Sequence, residues 1–203
     1  MRKVLLETFV IIVVVIIFCG CNKNRNKLKY FDSSFYEILL DQNIIALGEV
    51  HGTKEVPCLA DQIIKYLNDN GKCVVLALEC TISDQVIFNT AISEKDLMKS
   101  ETFLFNLDGR SSMAMSELIL KTKRNNKNLI KCFNPPLYGI ANQRDSLMAF
   151  KLKMDIENNP DYVFLIISGN YHTMTFPNSK LKDNGVIWAQ NPMLFVLRNI
   201  LPN

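Results

Sequence analysis

The chain has 203 residues, 48% of them hydrophobic and 21% charged, enough to bury one sizeable core with little left for a second. Its net charge is only +3, and the basic residues are scattered apart from Lys121 to Lys131 and the stretch after Cys21. Charge therefore gives no reason to expect nucleic acid as a partner.

The N-terminus stands apart from the rest. Arg2 and Lys3 precede an apolar run from Phe9 to Phe18, followed by Cys19-Gly20-Cys21 and a polar, basic stretch from Asn22. A positive start, a short greasy middle and a small residue at the cut make the layout of a secretory signal. The run is too short for a membrane span, which needs about 20 residues. Phe18-Cys19-Gly20-Cys21 resembles a bacterial lipoprotein lipobox, with Cys21 as the lipidated residue; a simple uncleaved N-terminal anchor is the alternative. The organisation expected is a signal peptide over 1–21, a polar tether over 22–30 and a single domain over 31–203. The domain would then sit in a bacterial cell envelope, outside the cytoplasm, held to a membrane through Cys21. In that oxidising setting Cys58, Cys73, Cys80 and Cys132 allow three disulfide pairings. Small buried hydrophobes are the plainer reading of these cysteines.

Along the domain, Phe31 to Leu40 is a short amphipathic lead-in, and Asn43 to Leu47 a wholly apolar first strand. Val56, Leu59, Ala60, Ile63, Ile64 and Leu67 recur at helical spacing, so a helix is expected from Lys54 to Asn70, with Gly71 as its stop. Glu55 favours its first turn through the helix dipole. Cys73 to Leu78 is a second apolar strand that delivers Glu79. Ser83 and Ser93 look like helix N-caps, Ser93 with Asp96 three residues on, inside a helical excursion from Thr81 to Asn106. A turn from Asp108 to Ser112 opens a helix carrying Met115, Leu118, Ile119 and Thr122. Leu129 to Phe133 is a third strand, and a helix from Asn142 to Glu157 leads to a fourth strand, Tyr162 to Ser168. Gly185 to Trp188 and Met193 to Leu197 complete the set as candidate strands. Strands alternating with helices predict an α/β fold, a mostly parallel sheet with helices on both faces.

The only two histidines of the chain close two of these strands in the same way, at Gly48-Glu49-Val50-His51 and Gly169-Asn170-Tyr171-His172. Ligands bind parallel sheets at the carboxyl edge, where Glu49, His51, Glu79 and His172 would converge. Arg144 joins them, because Arg144, Met148, Leu152 and Ile156 run at intervals of four and would form the inward stripe of their helix. A single histidine at a strand end is ordinarily a hydrogen-bonding residue; a matched pair with carboxylates points to chemistry. Glu79 could also cap a helix or pair with Arg144. Arg110 could equally be a surface residue, and Cys80 is held as a neighbour for want of anything that would activate its thiol. Two imidazoles with one or two carboxylates could hold a divalent metal beside an open water position, with His51, Glu79 and His172 as ligands. They could equally work without metal, a histidine serving as general base and Arg144 stabilising an oxyanion.

The ordered set of Gly48-Glu49-Val50-His51-Gly52-Thr53, Glu79, Arg144 and Gly169-Asn170-Tyr171-His172 resembles the superfamily of erythromycin esterases, ChaN-like haem-binding lipoproteins and Tiki/TraB metalloproteases. The resemblance spans Asn43 to Phe176. It implies an EreA/ChaN-like fold with His51 as base or ligand, Glu49 and Glu79 as acidic partners and His172 as second ligand or base. It also implies two functions: hydrolysis of an ester or amide bond in a small molecule or peptide, with or without a divalent metal such as zinc, manganese or cobalt, or else haem binding through His51, Tyr171 or His172 with no bond broken. A homodimer is an open option.

Overall fold

A computed structural model describes residues 31–105, 109–136, 141–177, 182–183, 186–187 and 191–201. The elements are α1 (Ser33–Leu39), β1 (Ile44–Glu49), α2 (Glu55–Asp69), β2 (Cys73–Thr81), a 3₁₀ turn (Ile82–Asp84), α3 (Gln85–Thr90), α4 (Glu94–Leu97), α5 (Glu101–Phe105), α6 (Met113–Arg124), β3 (Leu129–Asn134), α7 (Ala141–Asn158), β4 (Tyr162–Gly169), β5 (Lys182–Asp183), β6 (Val186–Ile187) and α8 (Met193–Ile200). The signal, tether and Cys21 expectations fall outside the described residues. No described helix is long and apolar enough to cross a membrane.

Four strands form one parallel sheet in the order β1-β4-β2-β3. The apolar runs are continuous because both faces are covered: β1 is buried at every position and β4 at all but Tyr162. Alternate residues point to opposite faces. Ile45, Leu47, Leu76, Leu78, Leu165 and Ile167 pack with α2 and α6, where Leu59, Ile63 and Leu67 are fully buried. Burying each of those three side chains is worth about 1.5–3 kcal/mol. Ile44, Ala46, Val75, Ala77, Phe164 and Ile166 pack instead with α7 and α8. The α/β expectation holds, with helices on both faces.

The crossover from β1 through α2 skips one place in the sheet, and β4 fills it, so the ends of β1, β4 and β2 lie side by side. Ladder pairs Glu49↔Gly169 and Leu78↔Ile167 put these ends at nearly one level. The β2–β3 register shifts between Leu78 and Thr81, so Glu79 and Cys80 lie in an irregular stretch at the edge. Irregularities of this kind commonly re-aim a side chain beside a functional site.

Beyond β2, the excursion breaks into short helices. Ser93 caps α4 as expected: its Oγ accepts from the Asp96 N–H, and Asp96 Oδ2 accepts from the Ser93 hydroxyl. Ser83 does not cap. β2 runs on to Thr81, which places Ser83 inside the 3₁₀ turn, where its hydroxyl donates to Glu101 Oε2. Asp84 takes the capping work, accepting the backbone N–H groups of Glu101 and Thr102 at the start of α5. Gln85 then closes the exposed edge of β3: Nε2 donates to Ile130 O at 2.9 Å and Oε1 accepts Cys132 N at 2.8 Å. Replacing Gln85 with alanine is expected to lower stability by about 1 kcal/mol, read as a lower urea midpoint at unchanged slope.

Among the described residues Cys58, Cys73, Cys80 and Cys132 are free, so none of the three pairings forms; Cys80 and Cys132 are buried as small hydrophobes. The expected strand Met193 to Leu197 is instead the start of α8. A five-residue apolar run has no decisive period of its own. Pro192 precedes it, and Met193, Leu194 and Leu197 share the helical face buried in the α7 side of the core. Near Gly185 to Trp188, Val186–Ile187 pairs antiparallel with Lys182–Asp183 outside the main sheet; Gly185 and Trp188 are outside the described residues.

Candidate functional site

β1 ends in buried Glu49, and the turn after it doubles back with Thr53 N–H donating to Val50 O and Gly52 at φ +86°. That turn folds His51 onto its own strand end, where Nδ1 lies 2.8 Å from Glu49 Oε1. Nε2 of His51 makes no hydrogen bond to any described residue. At the end of β4, His172 N–H donates to Gly169 O and His172 O accepts from Leu194 N–H, so the second histidine is tied to α8.

The glycines of the two Gly-x-x-His turns are there for space. A Cβ on Gly169 would stand 3.2 Å from His51 Nε2 and 3.6 Å from His172 Cδ2, so both rings close over this one backbone position. A Cβ on Gly48 would meet Thr173 Oγ1 at 2.5 Å and Asn170 Oδ1 at 2.7 Å. Each turn therefore packs against the other across glycine.

Glu79 is the hub. Oε1 takes Arg144 Nη2 at 2.7 Å and Arg110 Nη1 at 3.2 Å, and lies 3.5 Å from His172 Nε2. Oε2 accepts Gly169 N–H at 2.8 Å. Arg110 Nη1 also donates to the Glu79 carbonyl, and Arg144 Nε to Asn134 Oδ1 at the end of β3. Burial alone would push the Glu79 carboxyl up, but His172, Arg110, Arg144 and the Gly169 N–H outweigh it and hold the carboxyl below its ordinary value. Glu49, Glu79 and Arg110, with Leu78, Cys80, Met115 and Ile167, line a cavity of about 10 Å³, room for one water.

One member of the site escapes the sequence reading. Asp145 is completely buried, and its Oδ1 lies 2.6 Å from His172 Nδ1. The pair is close but not aligned as a hydrogen bond, and neither Asp145 oxygen has another hydrogen-bond partner among the described residues. The buried stripe of α7 is Asp145, Met148, Ala149, Leu152 and Asp155, while Arg144 sits on its flank with 26% of its side chain exposed. The interval from Asp145 to Met148, Ala149 and Leu152 was the available signal. Arg110, undecided from sequence, belongs to the site. Tyr171 is 52% exposed at the mouth. Burial pushes the Cys80 thiol far up, so it stays a neutral neighbour.

The three-ligand metal set of His51, Glu79 and His172 does not fit this arrangement. Both Glu79 oxygens are already held by guanidinium and amide donors, and each histidine turns Nδ1 to its own carboxylate. Among the described residues no three His, Cys, Asp or Glu side chains converge as metal ligands do.

No family model matches the sequence, and no curated protein matches it. Among solved structures, ChaN of Campylobacter jejuni, described as binding haem cofacially, has a TM-score of 0.44 at 14% identity over 81% of this chain and 80% of its own. The type III effector HopBA1 superposes with a TM-score of 0.54 at 15% identity over 77% of each chain. The chain is thus an α/β protein with a four-stranded parallel sheet, similar in fold to HopBA1.

Proposed function

We propose that the protein is a hydrolase of ester or amide bonds in a small-molecule or peptide substrate, tethered to the bacterial envelope through Cys21 and working by general acid–base chemistry. The observation that carries this reading is the pairing of each histidine with a buried carboxylate, His51 with Glu49 and His172 with Asp145, at one sheet edge. Glu49 holds the proton of His51 on Nδ1, which leaves the Nε2 lone pair to take a proton from water. The water oxygen then bonds to the substrate carbonyl carbon. The partly exposed guanidiniums of Arg144 and Arg110, fixed by Glu79, face the negative charge that develops on the carbonyl oxygen. His172, its Nδ1 2.6 Å from the buried Asp145 carboxylate, gives its proton to the departing alcohol or amine as the carbon–heteroatom bond breaks. The test is release of p-nitrophenol from p-nitrophenyl acetate and butyrate by the full-length protein, with Tyr171→Phe expected to retain the rate. Hydrolysis no faster than that of a His51→Ala, His172→Ala double variant would overturn the reading.

A second reading, haem binding without catalysis, is favoured by one feature: Tyr171 is half exposed beside His172, and Val50 and Phe176 are exposed apolar residues in the two histidine loops. An apolar rim with a phenol and an imidazole suits a flat, greasy ligand whose iron needs an axial donor. Mixing with haem would then give a Soret band that is lost in Tyr171→Phe or His172→Ala. Under the hydrolase reading, no such residue-dependent band appears.

A further inference from the structure

We infer that Gly52 and Gly109 form a backbone crossing that positions Arg110 on Glu79 and locks the His51 turn to the loop before α6. The described structure has three glycines at positive φ: Gly52 at +86°, Gly71 at +80° and Gly109 at +85°. Gly71 ends α2, and a Cβ there would meet nothing within 4 Å. Gly109 is different in kind. A Cβ on it would stand 2.9 Å from both Cα and N of Gly52 and 3.2 Å from the carbonyl carbon of His51, all of them backbone atoms that cannot rotate away. A Cβ on Gly52 would meet only Gly109 Cα at 3.6 Å and Gly109 O at 3.9 Å, ordinary contacts.

The two loops therefore cross backbone on backbone, with His51 next to one glycine and Arg110 next to the other. From that crossing Arg110 reaches both the carbonyl and the carboxylate of Glu79, and only 18% of its side chain is exposed. Any side chain on Gly109 must push the loops apart, and the backbone that carries Arg110 to Glu79 then moves away from the His51 turn. Gly109 is thus a positioning residue acting through Arg110. Its effect on catalysis rests on the hydrolase reading; the placement of Arg110 does not.

The test exploits three glycines with matched backbone strain and unmatched crowding. The full-length protein and its Gly109→Ala, Gly52→Ala and Gly71→Ala variants are treated with phenylglyoxal, and modification of each arginine is followed by peptide mass spectrometry. The exposed Arg198 and Arg124 serve as references. In the parent protein Arg110 should react about tenfold more slowly than Arg198, and Gly109→Ala should bring it within about twofold, as a local opening would. Gly52→Ala and Gly71→Ala should leave Arg110 protected. If Gly109→Ala does not fold, Gly52→Val compared with Gly71→Val probes the crossing from its other side, and only Gly52→Val should expose Arg110. Equal protection in Gly109→Ala and Gly71→Ala, or fast labelling of Arg110 in the parent protein, overturns the inference. No substrate is involved, so failure here counts against the crossing, and absence of hydrolysis counts against the functional reading alone.

Discussion

Replacing Glu79 with alanine is expected to cost about 3–5 kcal/mol of stability, the largest effect of any single site substitution, because the guanidiniums of Arg110 and Arg144 lose a shared and almost fully buried counter-ion. The Gly169 N–H loses its acceptor as well, and this amide lies where both imidazoles close over the chain. Glu79→Gln should cost less: its carbonyl can still accept one donor, while its amide N–H₂ is turned towards a guanidinium. Urea unfolding of the three proteins at pH 7 measures the series. The same cluster sets a pH dependence. The folded carboxyl of Glu79 lies below its unfolded value of about 4.3, so its contribution is fully present above that pH and is lost as the pH falls through the lower folded value. The parent protein should therefore lose stability relative to Glu79→Ala on acidification, and the difference between them should shrink below about pH 4. A difference that stayed constant from pH 7 to pH 3 would mean that Glu79 is not held as an ion.

The second large effect is on rate. His51→Ala is expected to reduce ester hydrolysis by about 10²–10⁴-fold, the usual worth of a positioned general base. It should leave the fold in place at lower stability, because His51 is partly exposed and its side-chain hydrogen bond among the described residues is to Glu49, whose buried carboxylate then loses that partner. Glu49→Gln should give a smaller loss in the same direction: an amide can still accept from Nδ1 but carries no charge to stabilise the imidazolium. The losses should not add, since Glu49 acts through His51. Matching circular dichroism spectra at the assay temperature, with melting temperatures above it for all three proteins, would separate this outcome from unfolding.

Much of this arrangement is legible in the sequence. Continuous apolar runs identify β1, β2 and β4 because a strand covered on both faces has no polar side to interrupt it, and those runs carry Glu49, Glu79 and His172 to one edge by position alone. The Gly-x-x-His turns are visible too, though their physical reason, two rings over one glycine and two loops over another, needs coordinates. What stays hidden is set by pairing between distant segments. Asp145 reads as an ordinary helical carboxylate until His172 is placed against it. Arg110 reads as a loop residue until the Gly52–Gly109 crossing brings it to Glu79. The expected metal set fails for the same reason: the other donors that occupy Glu79 come from the loop before α6, from α7 and from β4. Met193 to Leu197 reads as a strand because five apolar residues fit either period, and Ser83 reads as a cap because β2 extends further than its apolar run.

Chemical rescue tests directly whether His51 is a general base for hydrolysis. The rate of p-nitrophenyl acetate hydrolysis by full-length His51→Ala is measured with increasing imidazole, after subtracting the reaction of imidazole alone. A rate that rises with imidazole and saturates, while Glu79→Ala gains nothing, is expected when imidazole replaces the missing base. A His51→Ala protein as fast as the parent, or one indifferent to imidazole, would contradict it.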